Sequence, residues 1–239
     1  MSTQEFYLND DGIRLHAKLD RPEGLEKCPL CIVLHGLTGH MEETHIRAVA
    51  AAMNDLGIAT LRVELYGHGQ SDGAFEDHDL SKWLHNIDAA TDYAKSLDFV
   101  TELYLCGHSQ GGLAAVMAAG NHPDAYQKLI PLAPALMIPR LAKEFPDDEV
   151  PDCFYFHEQR IAQGYILANR QLDVDAAIRN YHGPVLLVQG TNDTTIVPQD
   201  TIDAADVYDN ATLVLVEGDT HCFDYHLDQV VAAVKAFFS

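Results

Sequence analysis

The sequence has few basic residues. Only 15 Lys and Arg stand against 36 Asp and Glu, which gives a formal net charge of −21 in a chain of 239 residues. A surface of this sign repels the phosphates of nucleic acids and the headgroups of anionic lipids. We therefore expect neither a nucleic-acid partner nor a membrane partner. A solubilising acidic face is the simplest interpretation of this composition, and adaptation to salt is the alternative.

Long apolar runs and linkers are also missing. No segment approaches the roughly 18–20 consecutive apolar residues that cross a bilayer, and residues 1–6 lack the basic start and apolar stretch of a secretory signal. No Gly/Ser/Pro-rich linker, internal repeat or low-complexity tract divides the chain. We therefore predict one domain over residues 1–239, located in the cytoplasm.

Cysteine is scarce and odd in number, with five residues, so reduced thiols are expected in the absence of a secretory signal. Cys28 and Cys31 form a C-x-x-C pair. Because Cys31 opens the strand-like run 31–35, an extended Cys28 lies roughly 10 Å from it, which is too far for a disulfide. No second cysteine pair completes a zinc site. The sequence indicates no metal and no cofactor.

The periodicity of the apolar residues predicts a mostly parallel sheet with helices on both faces. Residues 13–19 alternate like a half-exposed antiparallel strand and follow a turn at 10–12. From residue 30 onward, continuously apolar strands alternate with helical segments. The strands are predicted at 30–34, 58–63, 102–106, 128–132, 185–188 and 211–216, and the helices at 43–55, 80–97, 112–119, 198–208 and 227–238.

This alternation breaks between residues 134 and 182. The segment is too long for a simple connection and too apolar for a disordered tail. We predict that it forms an inserted cap over the sheet. Its distinctive residues are four prolines, an acidic run and several aromatics: Pro134, Pro139, Pro146, Pro151, Asp147, Asp148, Glu149, Phe154, Tyr155, Phe156 and Tyr165.

One motif, GHSQG at 107–111, lies between a strand-like run and a helix-like run. A serine in a tight turn from strand to helix exposes its hydroxyl, and the flanking glycines keep side chains out of the bend. The helix that follows directs free N–H groups and its positive end towards any negative charge forming on a substrate. The motif predicts that Ser109 is a nucleophile.

A serine nucleophile needs a base, and the base needs an acid that orients it. After a turn of this kind, the acid and then the histidine follow on loops after late strands. Asp193 and His221 occupy such loops, so we predict a Ser109–Asp193–His221 triad. The less favourably placed alternatives are Asp200 and Asp219 for the acid, and His182 and His226 for the base.

An acyl-transfer site also needs N–H donors for the oxyanion. The residue after the nucleophile, Gln110, supplies one backbone N–H, and the loop 35–40 supplies the other, which we assign to Leu37. His35 is predicted to hydrogen-bond this loop rather than to act as a base. His108 is predicted to pack beneath the turn.

Several segments together carry a family resemblance. They are HGLTGH at 35–40, LYGHGQSDG at 65–73, KWL at 82–84, DYAK at 92–95, LDFV at 97–100, GHSQGG at 107–112 and GDTHCF at 218–223. Over about residues 28–135 and 183–238, the chain resembles the small bacterial feruloyl (cinnamoyl) esterases of the α/β-hydrolase superfamily. The resemblance implies an eight-stranded α/β-hydrolase sheet and a serine esterase. Hydroxycinnamate esters, such as those of ferulate, caffeate or chlorogenate, would be cleaved through an acyl-enzyme.

The resemblance also implies that the cap contacts the phenolic ring. Tyr165, after Gly164, is then a candidate partner of the ring hydroxyl, and Asp147 or Asp148 is a further candidate. The run 154–156 forms either a wall of an aromatic acyl pocket or the core of the cap itself. The sequence leaves both open.

Other functions use the same residues. A general carboxylesterase, a monoglyceride lipase and a thioesterase share such a triad, and a non-catalytic binder can share the fold. A serine peptidase is disfavoured because no acid for recognising an amine stands out. A haloalkane dehalogenase is disfavoured because its nucleophile is an aspartate. The expected partner is a small aromatic ester, and a homodimer is compatible with the sequence.

Overall fold

Ten strands and eight helices make up the fold in the structure, a computed structural model that describes residues 1–239. The strands are β1 (Ser2–Asp10), β2 (Ile13–Arg21), β3 (Cys28–Leu34), β4 (Ala59–Val63), β5 (Val100–His108), β6 (Lys128–Leu132), β7 (Cys153–Phe156), β8 (Gln159–Ala162), β9 (Val185–Gly190) and β10 (Ala211–Val216). The helices are α1 (Thr44–Asp55), α2 (Leu80–Ser96), α3 (Gln110–Asn121), α4 (Ile138–Lys143), α5 (Gly164–Asn169), α6 (Val174–Asn180), α7 (Pro198–Val207) and α8 (Leu227–Phe237). None of the helices is both long enough and apolar enough to cross a bilayer.

Eight strands form one sheet in the order β1-β2-β4-β3-β5-β6-β9-β10. The strand β2 is antiparallel to β1 and β4, and the pairs from β4 to β10 are parallel. Asp11 and Gly12 join β1 to β2 with φ of 48° and 93°, the positive values that a two-residue hairpin turn requires. The predicted mostly parallel eight-stranded sheet is confirmed.

Helices cover both faces of the sheet. Along β3, Leu30 and Ile32 belong to the larger apolar cluster, while Cys31 and Val33 belong to the smaller one on the opposite face. The larger cluster is covered by α2, α3 and α6, and the smaller one by α1 and α8. Burial on both faces explains why the central strands lack polar alternation. Cys28 also lies on β3, and both cysteines are buried free thiols.

The segment 134–182 contains α4, the hairpin β7–β8, α5 and α6. The hairpin is a separate two-stranded sheet, and Arg160 on β8 forms an ion pair with Glu76 next to the core. The last helix of this segment, α6, packs closely on α3. A Cβ added to Gly120 on α3 would lie only 2.4 Å from the Cα of Ala177 on α6. The C-terminal part of the predicted cap therefore packs with the helices of the sheet.

Candidate active site

Ser109 occupies a strained turn between β5 and α3. Its φ of 57° and ψ of −121° place a non-glycine residue in a region that costs on the order of 1–3 kcal/mol. The flanking glycines have no room for a side chain. A Cβ on Gly107 would lie 2.2 Å from the carbonyl oxygen of Gly111, and one on Gly111 would lie 2.2 Å from that of His35. The turn thus depends on these two glycines.

Hydrogen bonds from neighbouring segments hold this turn. The Ser109 N–H donates to the carbonyl of Leu132 at the end of β6 (2.9 Å), and the Ser109 carbonyl accepts from the N–H groups of Leu113 and Ala135 (both 3.0 Å). Strain of this kind persists only where the surroundings impose it. Here the sheet and α3 together keep the hydroxyl-bearing residue in place.

The acid and the histidine of the predicted triad meet. Oδ2 of Asp193 accepts hydrogen bonds from Nδ1 of His221 (2.7 Å) and Nε2 of Gln189 (2.9 Å). Oδ1 accepts from the N–H groups of Thr195 and Ile196 (both 2.8 Å). Burial by itself would raise the pKa of Asp193, but the hydrogen bonds to its carboxylate outweigh burial and lower the pKa. The carboxylate therefore stays ionised.

This geometry sets the tautomer of His221. With Nδ1 donating to Asp193, the lone pair is on Nε2, as a general base requires. His221 and Ser109 line the same cavity. No hydrogen bond joins the Ser109 hydroxyl to the His221 ring in this structure. In free enzymes such bonds are often long and tighten when substrate binds.

The two alternative acids have other partners. Oδ1 of Asp219 accepts from the N–H groups of Thr220 (2.8 Å) and Tyr225 (3.1 Å), and its Oδ2 accepts from that of His226 (2.9 Å). It therefore holds the loop that bears His221. Asp200 forms an ion pair with Arg140 (3.1 Å). Neither carboxylate forms a hydrogen bond with the His221 ring.

A row of buried histidines supports His221. His108 Nε2 donates to the carbonyl oxygen of His221 (2.8 Å), and the ring of His45 lies 4.2 Å from that of His108. Burial, reinforced by the repelling charge on His221, lowers the pKa of His45 to about 4 and also lowers that of His108. Both therefore stay neutral, and His221 is the one of the three that has a carboxylate partner.

Two further neutral histidines shape the loop that carries Leu37. His35 Nδ1 donates to the Gly36 carbonyl (2.7 Å), while its Nε2 accepts from the Leu65 N–H (3.0 Å). His68 Nε2 accepts from the Thr38 N–H (3.2 Å). These bonds engage backbone groups on both sides of Leu37, whose own N–H has no hydrogen-bond partner. Gln110, the first residue of α3, has no carbonyl one turn earlier for its N–H.

The buried histidines make folding sensitive to acid. Burial lowers the pKa of His35 and His45 to about 4 and that of His68 to about 3, from an ordinary value of 6.5. The unfolded chain therefore binds protons that the folded chain does not, and stability falls as the pH drops from 6.5 towards 4. We expect the free energy of unfolding to fall by about 3–4 kcal/mol between pH 6 and 5, since each group contributes up to about 1.4 kcal/mol per pH unit.

Urea unfolding at pH 7, 6 and 5 measures this dependence. His68→Gln should reduce the slope by up to about 1.4 kcal/mol per pH unit. His182→Gln, at an exposed histidine paired with Asp209, should leave the slope unchanged. A free energy of unfolding that is flat between pH 6 and 5 contradicts the expectation.

The triad opens into a cavity of about 540 Å³, within the usual range for a small-molecule site. Its wall on the side of residues 134–182 is apolar. The side chains there are Met137, Ile138, Leu141, Ala142, Phe145, Phe154, Phe156 and Ile166. Tyr155 lies between two of them in sequence but is 67% exposed, because successive strand residues face opposite sides. Phe154 and Phe156 therefore form part of the cavity wall, one of the two roles that the sequence left open for the run 154–156.

Tyr165 supplies a hydroxyl to this apolar wall. The side chain is buried, and its hydroxyl donates to Oε1 of Gln110 (2.7 Å). Burial raises the pKa of Tyr165, so the hydroxyl is protonated and can also accept a hydrogen bond. Nε2 of Gln110 has no partner. A ligand hydroxyl in the cavity can therefore donate a hydrogen bond to the Tyr165 hydroxyl.

Asp147 and Asp148 lie elsewhere. Both are exposed and neither lines the cavity. Asp147 forms an ion pair with Arg170 (2.8 Å) on the outer surface of the segment. The expectation that one of them contacts the phenolic ring is not supported by this placement. An acidic run usually lies in solvent, where its charges are hydrated.

Three residues of the site were not expected from the sequence. Gln189 holds Asp193 and is itself held by the Thr201 hydroxyl (2.8 Å), and a polar residue ending a buried strand was the available signal. Glu43 and Cys222 line the cavity. Burial raises the pKa of Cys222 to about 11, so its thiol stays protonated. Nowhere do three or more His, Cys, Asp or Glu side chains cluster so as to hold a metal ion.

Two solved structures of one protein are similar to this chain over nearly its whole length. Est1E from Butyrivibrio proteoclasticus with ferulic acid bound is 45% identical, with a TM-score of 0.95, and the match covers 98% of this chain and 97% of that chain. A second structure of Est1E from Butyrivibrio proteoclasticus is 42% identical, with a TM-score of 0.92 and the same coverage of 98% and 97%.

A curated relative matches over a shorter stretch. The Putative esterase NocK from Nocardia uniformis subsp. tsuyamanensis is 32% identical over 136 residues, which are 53% of this chain and 38% of that protein. The match thus spans well under half the length of that relative.

Two family models match the chain itself. The model described as Serine aminopeptidase, S33, matches residues 26–151, and the model described as Putative esterase matches residues 94–230. The two matches overlap in a stretch that includes the turn bearing Ser109. Since each of them covers more than half of the sequence, the chain belongs to the serine hydrolases and esterases of the α/β-hydrolase superfamily.

Proposed function

We propose that this serine esterase cleaves hydroxycinnamate esters, such as those of ferulate or caffeate, through an acyl-enzyme. The observation that carries the proposal is the cavity above Ser109, whose aromatic and aliphatic wall contains one buried hydroxyl, that of Tyr165. A flat phenolic acyl group matches such a wall with a single polar contact. The likeness to Est1E with ferulic acid bound supports the same substrate class.

The reaction follows from the arrangement of the site. His221 Nε2 takes the proton of the Ser109 hydroxyl as its oxygen attacks the ester carbonyl, and Asp193 stabilises the imidazolium that forms. The N–H groups of Leu37 and Gln110 hold the oxyanion. The carbon–oxygen bond to the alcohol then breaks, and the alcohol leaves with the proton from His221. Water, deprotonated by the same base, releases the acid and restores Ser109.

A peptidase has less support, although one of the matching family models carries that name. An aminopeptidase must bind a free amine on the acyl side of the scissile bond. The residues of 134–182 that line the cavity include no carboxylate. A protonated amine placed there would lose its hydration without gaining a partner. The esterase is therefore the better-supported function.

The Tyr165→Phe variant tests the acyl specificity. We expect kcat/KM for methyl ferulate to fall about 5- to 30-fold, since a hydrogen bond of about 1–2 kcal/mol is lost. For methyl cinnamate, which has no ring hydroxyl, the loss should be smaller than threefold, roughly the scale of a side-chain contact of 0.6 kcal/mol. Initial rates of acid release measure both values.

The wild-type substrate panel separates the alternatives. Methyl ferulate should be preferred over methyl butyrate and methyl octanoate. A preference for butyrate favours a general carboxylesterase, a preference for octanoate or monoacylglycerol favours a lipase, and a preference for a thioester favours a thioesterase. Equal losses for ferulate and cinnamate in Tyr165→Phe contradict the assigned role of the hydroxyl. If a fluorophosphonate probe failed to label Ser109, the chain would be a non-catalytic binder.

A homodimer and a cytoplasmic location are part of the proposal as predictions from the sequence. The acidic surface and the five free cysteines are compatible with both. The small aromatic ester is the partner that the cavity itself supports.

A further inference from the structure

Glu43 is the only Asp, Glu, Lys or Arg side chain that lines the cavity. It is the N-cap residue of α1, but its side chain makes no capping hydrogen bond. Its side chain folds back instead onto the loop 35–40. There Oε2 accepts a hydrogen bond from the His40 N–H (3.3 Å), and a Cβ on Gly39 would lie 2.4 Å from the same oxygen. Gly39 thus leaves the space that this carboxylate occupies.

This carboxylate is not neutralised by the protein. Glu43 forms no salt bridge, and its second oxygen, Oε1, accepts no hydrogen bond, although the side chain is half-buried. Its neighbour Glu42 contrasts with it, since Glu42 pairs with Lys18 (3.1 Å) and Arg62 (3.2 Å). A partly desolvated carboxylate whose Oε1 accepts no hydrogen bond can accept one from a ligand in the cavity.

Glu43 lines the same cavity as His221 and Cys222, and its Oε2 is bound to the His40 N–H of the loop 35–40. Its charge acts on Cys222, and the charge of His221 acts on it. The leaving oxygen must come within hydrogen-bonding reach of His221 to receive its proton. The rest of the alcohol therefore extends along the wall that includes Glu43.

We propose that Glu43 selects the leaving alcohol: it favours neutral alcohols with free hydroxyl groups and disfavours alcohols that carry a carboxylate. A hydroxyl donates to the open Oε1, and hydrogen bonds to charged acceptors are among the stronger ones. A second carboxylate in the same cavity is repelled. This inference rests on the proposed function. It predicts that the caffeoyl ester of an anionic polyol is a poorer substrate than the caffeoyl ester of the corresponding neutral polyol.

Chlorogenate and its methyl ester provide the matched pair of substrates, because they share the caffeoyl group and the polyol and differ in one negative charge and one methyl group. In the wild type, we expect kcat/KM for caffeate release to be about 5- to 10-fold higher for the methyl ester, the scale of like charges about 3–4 Å apart in a solvated cavity. In Glu43→Gln the ratio should fall to near one. Glu42→Gln, at the ion-paired neighbour outside the cavity, should keep the wild-type ratio.

Ionic strength provides a second measurement that needs no variant. The wild-type ratio should shrink between about 0.02 M and 0.5 M salt, because mobile ions screen part of the repulsion. A ratio that is the same in wild type and Glu43→Gln overturns the proposal. If Glu43→Gln does not fold, a wild-type ratio near one at low salt overturns it equally.

A separate pair of esters distinguishes this failure from that of the proposed function. If no caffeate or ferulate ester is cleaved but methyl butyrate is, the acyl assignment is wrong. The butyryl ester of glycolate and its methyl ester then test Glu43 with the same charge difference. A ratio above about fivefold that is lost in Glu43→Gln supports the role of Glu43 whatever the acyl group, since the repulsion depends on charge alone.

Discussion

Replacing Ser109 with alanine should lower kcat for methyl ferulate by about five to six orders of magnitude, as is usual when the nucleophile of a triad is removed. The variant keeps the proposed oxyanion donors, the N–H groups of Leu37 and Gln110, and the proposed base His221, but no oxygen remains to form the acyl-enzyme. Rates of ferulate release, measured at high enzyme concentration, quantify the residual activity.

Two measurements distinguish loss of the nucleophile from loss of the fold. The alanine variant should still bind ferulate, since the apolar wall is unchanged. Ser109→Gly should be as inactive as the alanine variant and at least as stable, because glycine accepts the φ of 57° that strains other residues. Activity within tenfold of wild type in either variant would exclude Ser109 as the nucleophile.

The Asp193→Asn variant should lower kcat at pH 7 by about 10⁴-fold, the scale of the same change in other triads. Oδ1 faces two backbone N–H groups, which require an oxygen there. The new amide NH₂ must then take the place of Oδ2 and donate towards Nδ1 of His221. This reverses the tautomer, puts the proton on Nε2 and removes the base.

The profile of kcat against pH, together with a matched variant, checks this interpretation. Asp200→Asn changes the other nearby acid, which pairs with Arg140, and should keep kcat within about twofold, as most surface substitutions are nearly neutral. If Asp193→Asn and Asp200→Asn lost similar activity, Asp193 would not be the residue that orients His221.

The succession of strands and helices along the chain and the candidate nucleophile were accessible from the sequence because they depend on local patterns. Continuous apolar runs predict strands buried on both faces. Glycines at 107 and 111 indicate a bend without room for side chains. The positions of Asp193 and His221 follow from the rule that loops after parallel strands meet at one edge of a sheet.

The cap shows where local patterns stop being informative. Asp147 and Tyr165 were both candidates for contacting substrate, yet one lies in solvent against Arg170 and the other is buried against Gln110. The orientation of the hairpin β7–β8 decides which aromatic residues face the cavity. That orientation depends on contacts with distant residues such as Glu76, and periodicity does not encode them.

The sequence by itself therefore determined the class of fold and predicted a nucleophile with two partners, because each follows from short-range spacing and from a fixed chain order. Only the tertiary structure decided that Glu43 faces the site unpaired, that His35 and His68 engage the backbone around Leu37, and that Asp147 and Asp148 do not line the cavity. The physical reason is that burial and pairing depend on segments that meet in space, and side chains of one type become neutral, charged or solvated according to those neighbours.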